Sequence, residues 1–538
     1  MLAACGQHNY RKVIVLAVDG MDPGFVESHR ADLPNLQRLH YSHLATTDPP
    51  QSPVAWSTFI TGLDPVEHGI LDFVERDAKT GEAYLSTTRT IEPRLRLPLG
   101  PYELPLSQSE VVSMRKGRAF WEILADRGVP VTVIRLPANY PPSKAGREIA
   151  GMGVPDLRGT EGTFSYFAGQ REFDLEGPPD TLRRDRAPAR IHIVADADPQ
   201  QPYARFTLPD EKVILKEGEW SDWLHADFPL VPHLISVRGM FRIFLKQVHP
   251  ELEVYLSPVN VDPAKPALPI GSYATEVAGR IGPFSTLGIP EDTLALRQGV
   301  FDLPQFLAQS HFVLDEENRL LDDALTHFSG GLLLFYFSAV DQNSHVLWGR
   351  HDGELLSIYR NVDAAIGRTL DREPDAEIIV LSDHGFHSFD RAVHLNRWLA
   401  LNGFAGKAFA LGLNGLYVND RSILASLRSR LLEFRDNGRP VITRVTETHS
   451  SPDLIVGYAP GYRASWQTAQ GEAPPQLIED NNDAWIADHC IDPAAVPAVL
   501  FATRPIRAGH PELKDLPVTL LETYGVPVPS TMKGHTVY

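Results

Sequence analysis

An α/β fold with a mostly parallel central sheet flanked by helices is predicted by three features of the sequence. Short apolar, often β-branched runs recur along the chain, as expected for strands buried on both faces of a parallel sheet. Several of these runs end at an acidic residue or a histidine, and helical patterns lie between them. The segment 164–299 differs in composition and contains short alternating segments, which predicts a partly β insertion into this core.

The first predicted strand is the run 13–18, which stops at Asp19, and a helical stretch containing Leu33, Leu36 and Leu39 follows. Further strands are predicted at 129–134, 332–337, 378–381 and 498–501, and helices at 120–125 and 516–524. In an α/β fold of this kind, sites form at the carboxyl ends of the strands. Polar residues that directly follow these strands are therefore the candidates for function.

The length of 538 residues exceeds what one compact core holds. We predict a tether at 1–11, a core made of 12–163 and 300–538, and an inserted substrate-specificity region at 164–299. Proline and charged residues are frequent in the insertion. Its alternating segments 191–194 and 253–256 predict antiparallel strands.

The composition excludes some classes of protein. A formal net charge of −18 argues against a nucleic-acid binder, because no basic excess is present to neutralise the phosphates. A small phosphorylated substrate remains compatible with this charge, because bound dications would supply local positive charge. The two cysteines make no disulfide framework, and no apolar run approaches the length of a membrane span.

The segment from Leu2 to Cys5 is similar to the end of a bacterial lipoprotein signal, although the preceding basic and apolar regions are missing. Two interpretations remain open: a start codon assigned too late, or a coincidence of small residues. In the first, a lipid on Cys5 anchors the protein to a membrane on the periplasmic side of the cell envelope. In the second, the protein is cytoplasmic.

Ligand-type side chains follow three of the predicted strands. Asp19 ends the first strand, Asp341 and His345 follow the strand at 332–337, and Asp383 and His384 end the strand at 378–381. Strand ends of a parallel sheet share one edge, so these side chains can converge. Carboxylate and imidazole ligands suit zinc or manganese, and they also build two-metal sites for phosphoryl transfer.

Each of these candidates also has a structural interpretation. Asp19 alone could cap a helix, Asp383 with His384 could form a turn, and Asp341 with His345 could make a salt link one helical turn apart. Because the same arrangement recurs at three strand ends, a purely structural role for all three clusters is less favoured. We therefore interpret the three clusters as one metal site.

Ser52 precedes Pro53 at the start of an apolar helical pattern. One interpretation is a helix N-cap serine with proline at the first helical position. The other is a nucleophile, because backbone N–H groups at a helix start bind phosphate and a metal activates a serine hydroxyl there. In company with the metal clusters, we predict that Ser52 is the nucleophile.

Together these residues resemble the alkaline-phosphatase superfamily, and are closest to its phosphodiesterase/nucleotide-pyrophosphatase branch and the related predicted bacterial phosphohydrolases. The motifs are Ala17-Val18-Asp19-Gly20, Ser52-Pro53 through Thr61-Gly62 with Pro65 and His68-Gly69-Ile70, Asp341 to His345, and Leu381-Ser382-Asp383-His384-Gly385-Phe386. Their order and spacing match that family, and the resemblance covers about residues 12–140 and 330–538.

The resemblance implies two divalent ions, Zn²⁺ with Mn²⁺ as the alternative. One ion would be held by Asp19, Ser52, Asp383 and His384, and the other by Asp341, His345 and a histidine near the C-terminal end. For that last ligand we choose His489, which lies shortly before the strand at 498–501. His510 and His535 are the competitors.

The chain departs from the family at the nucleophile. In the nucleotide pyrophosphatases the nucleophile is typically a threonine followed by Phe-Pro-Asn, whereas this sequence reads Ser52-Pro53-Val54-Ala55. The oxyanion donor that the asparagine would supply is therefore missing, and the backbone N–H of Val54 is the candidate in its place. The sulfatase motif, a cysteine or serine followed by x-Pro-x-Arg, does not match either, which argues against a sulfatase.

The resemblance implies a phosphodiesterase or phosphatase that works through a phosphoserine intermediate on Ser52. A phosphomutase or phosphotransferase on the same core is the first alternative, and a catalytically inactive envelope binding protein is the second. The intact ligand set, with a hydroxyl at position 52, argues against the inactive protein. The glycine-rich segment 151–160 is interpreted as a turn into the insertion, or as a loop whose Arg158 binds substrate.

Overall fold

The computed structural model describes residues 10–76, 83–107 and 109–538. At its centre lies a seven-stranded sheet, whose strands are β1 (Lys12–Val18), β2 (His40–Leu44), β3 (Val131–Ile134), β4 (Arg147–Ile149), β5 (Gly331–Phe337), β6 (Glu377–Leu381) and β7 (Ala498–Ala502). Their order in the sheet is β4-β3-β5-β1-β6-β7-β2. The neighbours from β4 to β6 are all parallel. The α/β fold with a mostly parallel central sheet is thereby confirmed.

Burial on both faces explains why the strands read as continuous apolar runs. In β1, Ile14 and Leu16 pack into one hydrophobic cluster, whereas Val13 and Val15 pack into a second cluster on the opposite face. Successive side chains of a strand point to opposite faces, so both sets must be apolar when helices cover both sides.

Thirteen helices occur in the described part of the chain. They are α1 (Pro23–Ser28), α2 (Ser52–Thr61), α3 (Pro65–His68), α4 (Phe120–Asp126), α5 (Tyr273–Ile281), α6 (Thr293–Arg297), α7 (Leu303–Thr326), α8 (Ala339–Leu347), α9 (Asp352–Arg372), α10 (Leu395–Leu401), α11 (Leu424–Leu432), α12 (Trp466–Ala469) and α13 (Asp515–Thr523). Helices α2, α4 and α13 cover one face of the sheet, and α7 and α9 cover the other.

Two elements differ from the sequence-based expectation. The stretch with Leu33, Leu36 and Leu39 was expected to be helical, but it forms two short 3₁₀ helices, Arg30–Asp32 and Leu36–Arg38, followed by β2. A spacing of three residues suits the three-residue turn of a 3₁₀ helix, and Pro34 opposes a continuous α-helix. The strand expected at 498–501 is present as β7, but it runs antiparallel to both of its neighbours.

The predicted insertion contains antiparallel strands, as expected for 191–194 and 253–256. Its strands are Ser165–Ala168, Glu172–Pro179, Pro188–Ala197, Tyr203–Thr207, Lys212–Lys216, Glu219–Trp220, Leu224–Val231, Ile235–Phe241, Ile243–Gln247, Glu253–Leu256 and Asn260–Val261, and they form three sheets. Ile191 and Phe206 belong to the same hydrophobic cluster as Ile14 of β1. The insertion therefore shares a hydrophobic cluster with one face of the central sheet, while its boundaries at 164 and 299 stay a prediction.

Two further groups of strands were not anticipated. Between β6 and β7 lie His387–Val393, Ala408–Ala410, Gly415–Val418, Arg435–Asp436, Arg439–Pro440, Ile442–Glu447, Leu454–Tyr458, Gly461–Ala464, Ile478–Asp480 and Ala487–Asp488. This segment, with α10 and α11, packs around a hydrophobic cluster of its own. Before α4 lie the small strands Val74–Arg76, Ala83–Leu85, Thr88–Ile91, Arg96–Leu99, Tyr102–Pro105 and Glu110–Ser113.

The predicted tether lies mostly outside the described residues, and so does Cys5. Arg11, which is described, forms an ion pair of 2.7 Å with Glu377 at the start of β6. Lipidation of Cys5 therefore stays a prediction. Within the described residues, the search for a helix with the length and apolarity of a membrane span finds none.

Candidate functional site

The predicted ligand residues converge at one edge of the central sheet. Asp19 follows β1, Asp341 and His345 lie on α8 directly after β5, and Asp383 and His384 follow β6. Because β5, β1 and β6 are adjacent and parallel, their carboxyl ends meet. All five side chains are buried.

The first group of side chains surrounds His384. Its Nε2 atom lies 3.1 Å from Oγ of Ser52, 3.5 Å from Oδ1 of Asp19 and 3.2 Å from Oδ2 of Asp383. Oγ of Ser52 also lies 3.4 Å from Oδ1 of Asp19. Asp19, Asp383 and His384 bring their ligand atoms close enough to hold one ion. Together with Ser52, they are the four residues that the resemblance assigned to one metal.

The second group is built around Asp341 on α8. Nε2 of His345 lies 3.5 Å from its Oδ2 atom, and Nε2 of His489 lies 3.8 Å from its Oδ1 atom. Nδ1 of His345 lies 2.9 Å from the carbonyl oxygen of Ala487, and Nδ1 of His489 lies 2.6 Å from that of Pro50. A carbonyl oxygen only accepts hydrogen bonds, so Nδ1 carries the proton in both rings and Nε2 is left as the ligand atom.

His489 also links the two groups. Its ring stacks on that of His384 with centroids 3.5 Å apart, and Asp341, His384 and His489 form a further set that could hold an ion. The competing histidines, His510 and His535, are exposed. The structure therefore brings His489, and neither competitor, into the cluster.

Two buried carboxylate oxygens in the cluster have no hydrogen-bond partner. They are Oδ1 of Asp341 and Oδ2 of Asp383. A buried carboxylate oxygen without a partner is costly unless a cation neutralises it. The residues at this edge therefore fit divalent cations, and their oxygen and nitrogen donors suit Zn²⁺ or Mn²⁺.

The protonation of these carboxyls depends strongly on their neighbours. Burial, followed by the negative charge of Asp341, raises the pKa of Asp19 to about 7. Burial also raises the pKa of Asp383 well above its ordinary value, with Asp19 and Asp341 adding to the effect. Burial acts in the same direction on Asp341, but the facing histidines, His345 first, lower its pKa to about 2. Such opposed shifts are typical of functional sites.

Ser52 is the first residue of α2, and Gln51 occupies the cap position. The interpretation of Ser52 as an N-cap is therefore wrong, because its hydroxyl faces Asp19 and His384 rather than the helix backbone. The N–H of Val54 donates to the carbonyl oxygen of Gln51 at 2.9 Å. This bond engages the N–H group that the sequence suggested as an oxyanion donor.

Arg158 lies apart from the cluster. Its guanidinium pairs with Glu176 of the insertion at 3.1 Å, and it does not line the cavity that opens onto Ser52. This position of Arg158 does not support the predicted contact with substrate.

Sequence reasoning missed residues that position the ligands. Nε2 of Gln342 donates to Oδ2 of Asp341 at 2.7 Å, and the indole ring of Trp485 stacks on His345 with centroids 3.6 Å apart. Oδ1 of Asp488 accepts hydrogen bonds from the backbone N–H groups of His489 and Cys490, at 2.8 and 2.9 Å. The adjacency of Asp488 to His489 was the available signal.

A cavity of about 490 Å³ opens onto the cluster. Ser52, Asp341, His345 and His489 line one end of it. The predicted insertion and its flanks contribute 161–163, Leu287 and 289–294, and the segment between β6 and β7 contributes Trp466 and Trp485. Three parts of the chain therefore enclose a space within the usual size range of small-molecule sites, roughly 300–1,000 Å³.

A family model described as type I phosphodiesterase / nucleotide pyrophosphatase matches residues 13–197 and 291–492. These ranges make up most of the chain and include all the residues of the cluster. No curated protein matches the chain.

Solved structures with a similar fold include phosphonoacetate hydrolase from Sinorhizobium meliloti 1021 in complex with phosphonoacetate. It is 12% identical, 96% of each chain is covered, and the TM-score is 0.50. Murine ectonucleotide pyrophosphatase / phosphodiesterase 5 in complex with AMP is 10% identical, with 98% of this chain and 97% of that chain covered and a TM-score of 0.45. At such low identity, the similarity to phosphonoacetate hydrolase shows a shared fold alone.

Proposed function

Because this chain belongs to the type I phosphodiesterase/nucleotide pyrophosphatase family, we propose that it hydrolyses phosphoric esters through a phosphoserine intermediate on Ser52, with two divalent ions. That it is a phosphoester hydrolase follows from the family. The nucleophile, the number of ions and the substrate are the parts that we propose. The substrate would be a small phosphorylated molecule rather than a nucleic acid, in keeping with the net charge of −18.

The observation that carries the proposal is the position of the Ser52 hydroxyl. Its Oγ atom lies 3.1 Å from Nε2 of His384 and 3.4 Å from Oδ1 of Asp19. The residue begins helix α2 and lines the cavity. A hydroxyl that faces ligand-type side chains and also the space where a substrate would lie is placed for nucleophilic attack.

The ligand sets proposed for the ions follow the two groups of side chains. Asp19, Ser52, Asp383 and His384 would hold one ion, and Asp341, His345 and His489 the other. The two carboxylate oxygens without partners, on Asp341 and Asp383, support this assignment. When bound, the ions would neutralise developing charge on the phosphoryl oxygens and on the attacking and leaving oxygens. We propose Zn²⁺, with Mn²⁺ as the alternative.

The proposed reaction has two displacements. Oγ of Ser52 gives up its proton and forms a bond to phosphorus while the bond from phosphorus to the leaving ester oxygen breaks, and that oxygen leaves with the electron pair and takes up a proton. A water molecule then attacks the phosphoserine: its oxygen bonds to phosphorus, the bond from phosphorus to Oγ breaks, and a proton of the water passes to Oγ, so that Ser52 recovers its hydroxyl. The same site would act as a phosphotransferase if an acceptor hydroxyl replaced the water.

The experiment combines metal analysis with turnover of bis-p-nitrophenyl phosphate and p-nitrophenyl phosphate. We expect near two ions per chain, and loss of activity in Ser52→Ala, with Ser42→Ala, at a half-buried serine that does not line the cavity, as matched control. Acid quenching during turnover should trap phosphate on the peptide that contains Ser52. Absence of bound metal, or full activity in Ser52→Ala, would contradict the proposal.

A location in the cell envelope through a lipid on Cys5 is a further proposal, supported by the sequence Leu2-Ala3-Ala4-Cys5. Expression of the gene from its genomic context should give a protein that partitions into the membrane fraction. The Cys5→Ser variant should then be released. Release of both proteins alike would count against lipidation.

A further inference from the structure

We propose that the substrate is a phosphodiester with a neutral, largely apolar ester arm, and that the insertion and the segment between β6 and β7 form the pocket for that arm. The inference deepens the proposed function and rests on it. It excludes polyphosphates and esters whose arm carries a further negative charge as preferred substrates.

The first argument is the apolar part of the cavity lining. The half-buried apolar side chains there are Phe73, Val74, Ile289, Leu294, Leu413, Trp466 and Trp485. Unlike the fully buried core, these side chains keep surface that a bound group can still cover. Covering apolar surface is favourable in proportion to the area removed from water. An apolar arm would therefore gain affinity in this part of the cavity.

The second argument is the charge of the lining. Among the described residues that line the cavity, Arg463 is the one Lys or Arg, and it is fully buried. Its Nε atom pairs with Asp488, its Nη1 atom donates to the carbonyl oxygen of Ala464 at 3.1 Å, and its guanidinium lies 3.9 Å from the ring centroid of Trp466. The positive charge of Arg463 is thus balanced by Asp488.

Nη2 of Arg463 has no hydrogen-bond partner. This nitrogen is closed to solvent, so it is not presented to a charged group in the cavity. A negatively charged arm would meet the carboxyl groups of Asp72 and Asp292, which also line the cavity. Like charges disfavour such a group in a partly desolvated space.

The third argument is the charge at the reacting end. Asp19, Asp341 and Asp383 bring three negative charges when ionised, so two dications would leave a single positive charge. That balance suits the one negative charge of a phosphodiester. A polyphosphate would bring further charges, for which the described lining offers no free cation.

The test compares two diesters with the same p-nitrophenolate leaving group. One has a phenyl arm, and the other has a 4-carboxyphenyl arm, so that the two differ in one charge remote from phosphorus. We expect kcat/KM to be at least about ten-fold higher for the phenyl arm, a discrimination within the range of pocket contacts. Equal values, or a preference for the carboxylate, would overturn the inference.

Charge introduced into the pocket should change this preference. Ile289→Lys, and independently Leu294→Lys on α6, should lower kcat/KM for the phenyl arm and raise it for the carboxyphenyl arm. Ile214→Lys is the matched control, because Ile214 lies on the insertion, is 65% exposed and does not line the cavity. General damage to the fold would lower both values, so an unchanged preference in both variants counts against the pocket.

Binding provides a readout that needs no turnover. Titration of diphenyl phosphate into the Ser52→Ala variant by calorimetry should show binding, and adding Ile289→Lys should weaken it about ten-fold, as expected for loss of apolar contact. The two proposals fail in different ways. If Ser52→Ala retains full turnover, the proposed function fails. If turnover depends on Ser52 but shows no preference for the phenyl arm, the inference alone fails.

Discussion

The hydroxyl of Tyr336 donates a hydrogen bond of 2.7 Å to Oδ2 of Asp19, across the adjacent strands β5 and β1. The indole N–H of Trp56 on α2 donates to the same oxygen at 2.8 Å. Two donors therefore hold Oδ2, and Oδ1 is left facing Ser52 and His384. The orientation of this carboxylate is set by side chains from two other elements, β5 and α2.

Removal of the hydroxyl in Tyr336→Phe should weaken metal binding. Hydrogen bonds to a ligand orient it, and their loss typically lowers metal affinity about 10–100-fold. Competition with a chromogenic chelator measures the affinity. Tyr41→Phe is the matched control, because its hydroxyl bonds to Glu27 far from the cluster. Equal affinity in wild type and Tyr336→Phe would show that the hydrogen bond does not position Asp19.

Asp488 is a second positioning residue. Besides its bonds to the backbone of His489 and Cys490, it accepts a hydrogen bond of 2.8 Å from Nε1 of Trp485, whose ring stacks on His345. One carboxylate thus supports two predicted ligands, His345 indirectly through Trp485 and His489 through its backbone N–H group.

Asp488→Asn should therefore lower metal affinity by about 10–100-fold and reduce kcat more than it changes KM. An amide retains one acceptor oxygen but loses the charge that pairs with Arg463. Metal titration and steady-state kinetics measure the two effects. Asp480→Asn, whose side chain is 74% exposed, is the control. A change in KM alone would argue that Asp488 acts on substrate instead.

Glu291 should make stability depend on pH. Burial, followed by the charge of Glu317, raises the pKa of Glu291 to about 8, although Arg135 and the Ser338 hydroxyl oppose the shift. An unfolded glutamate has a pKa of about 4.3. Between these values the folded state holds a proton that the unfolded state has lost, so stability is fully present below about pH 4.3 and falls as pH rises toward about 8.

Glu291→Gln removes this titration and should make stability depend less on pH. Between pH 5 and pH 8, the free energy of unfolding of the variant should rise relative to that of wild type by more than ~1.4 kcal/mol, which is the equivalent of one pKa unit. Urea unfolding at several pH values measures it, with the 69% exposed Glu172→Gln as control. Parallel curves for wild type and Glu291→Gln would mean that Glu291 is ionised in the folded protein.

Truncation of a buried side chain in β5 should lower the free energy of unfolding. Leu334 lies in β5 and is fully buried among residues of the sheet and the helices that cover it. Leu334→Ala removes apolar contacts and leaves a cavity, which costs about 2–5 kcal/mol in buried cores. Leu234→Ala, at a side chain 82% exposed, should change stability by less than about 0.5 kcal/mol. The midpoint of urea unfolding distinguishes the two outcomes.

The elements that were predicted well have strong local patterns. The strands β1, β5 and β6 are apolar on both faces and end at polar residues, so their positions could be read from the chain. The segment between β6 and β7 was less predictable, because its strands are short and their pairing joins residues far apart, as in Phe389 with Gly461. The pairing of Arg158 with Glu176 was not predictable either, since it depends on how the insertion folds.

The sequence by itself determined the family, the order of the central strands' apolar runs and the polar residues that end them, because these depend on local composition and spacing. The tertiary structure decided which histidine joins Asp341 and His384, and how Ser52 is oriented. It also decided that Gln51, not Ser52, precedes the helix as its cap. Those outcomes depend on packing between segments hundreds of residues apart, such as the hydrogen bond from His489 to the carbonyl oxygen of Pro50. No local pattern specifies which distant segments come into contact.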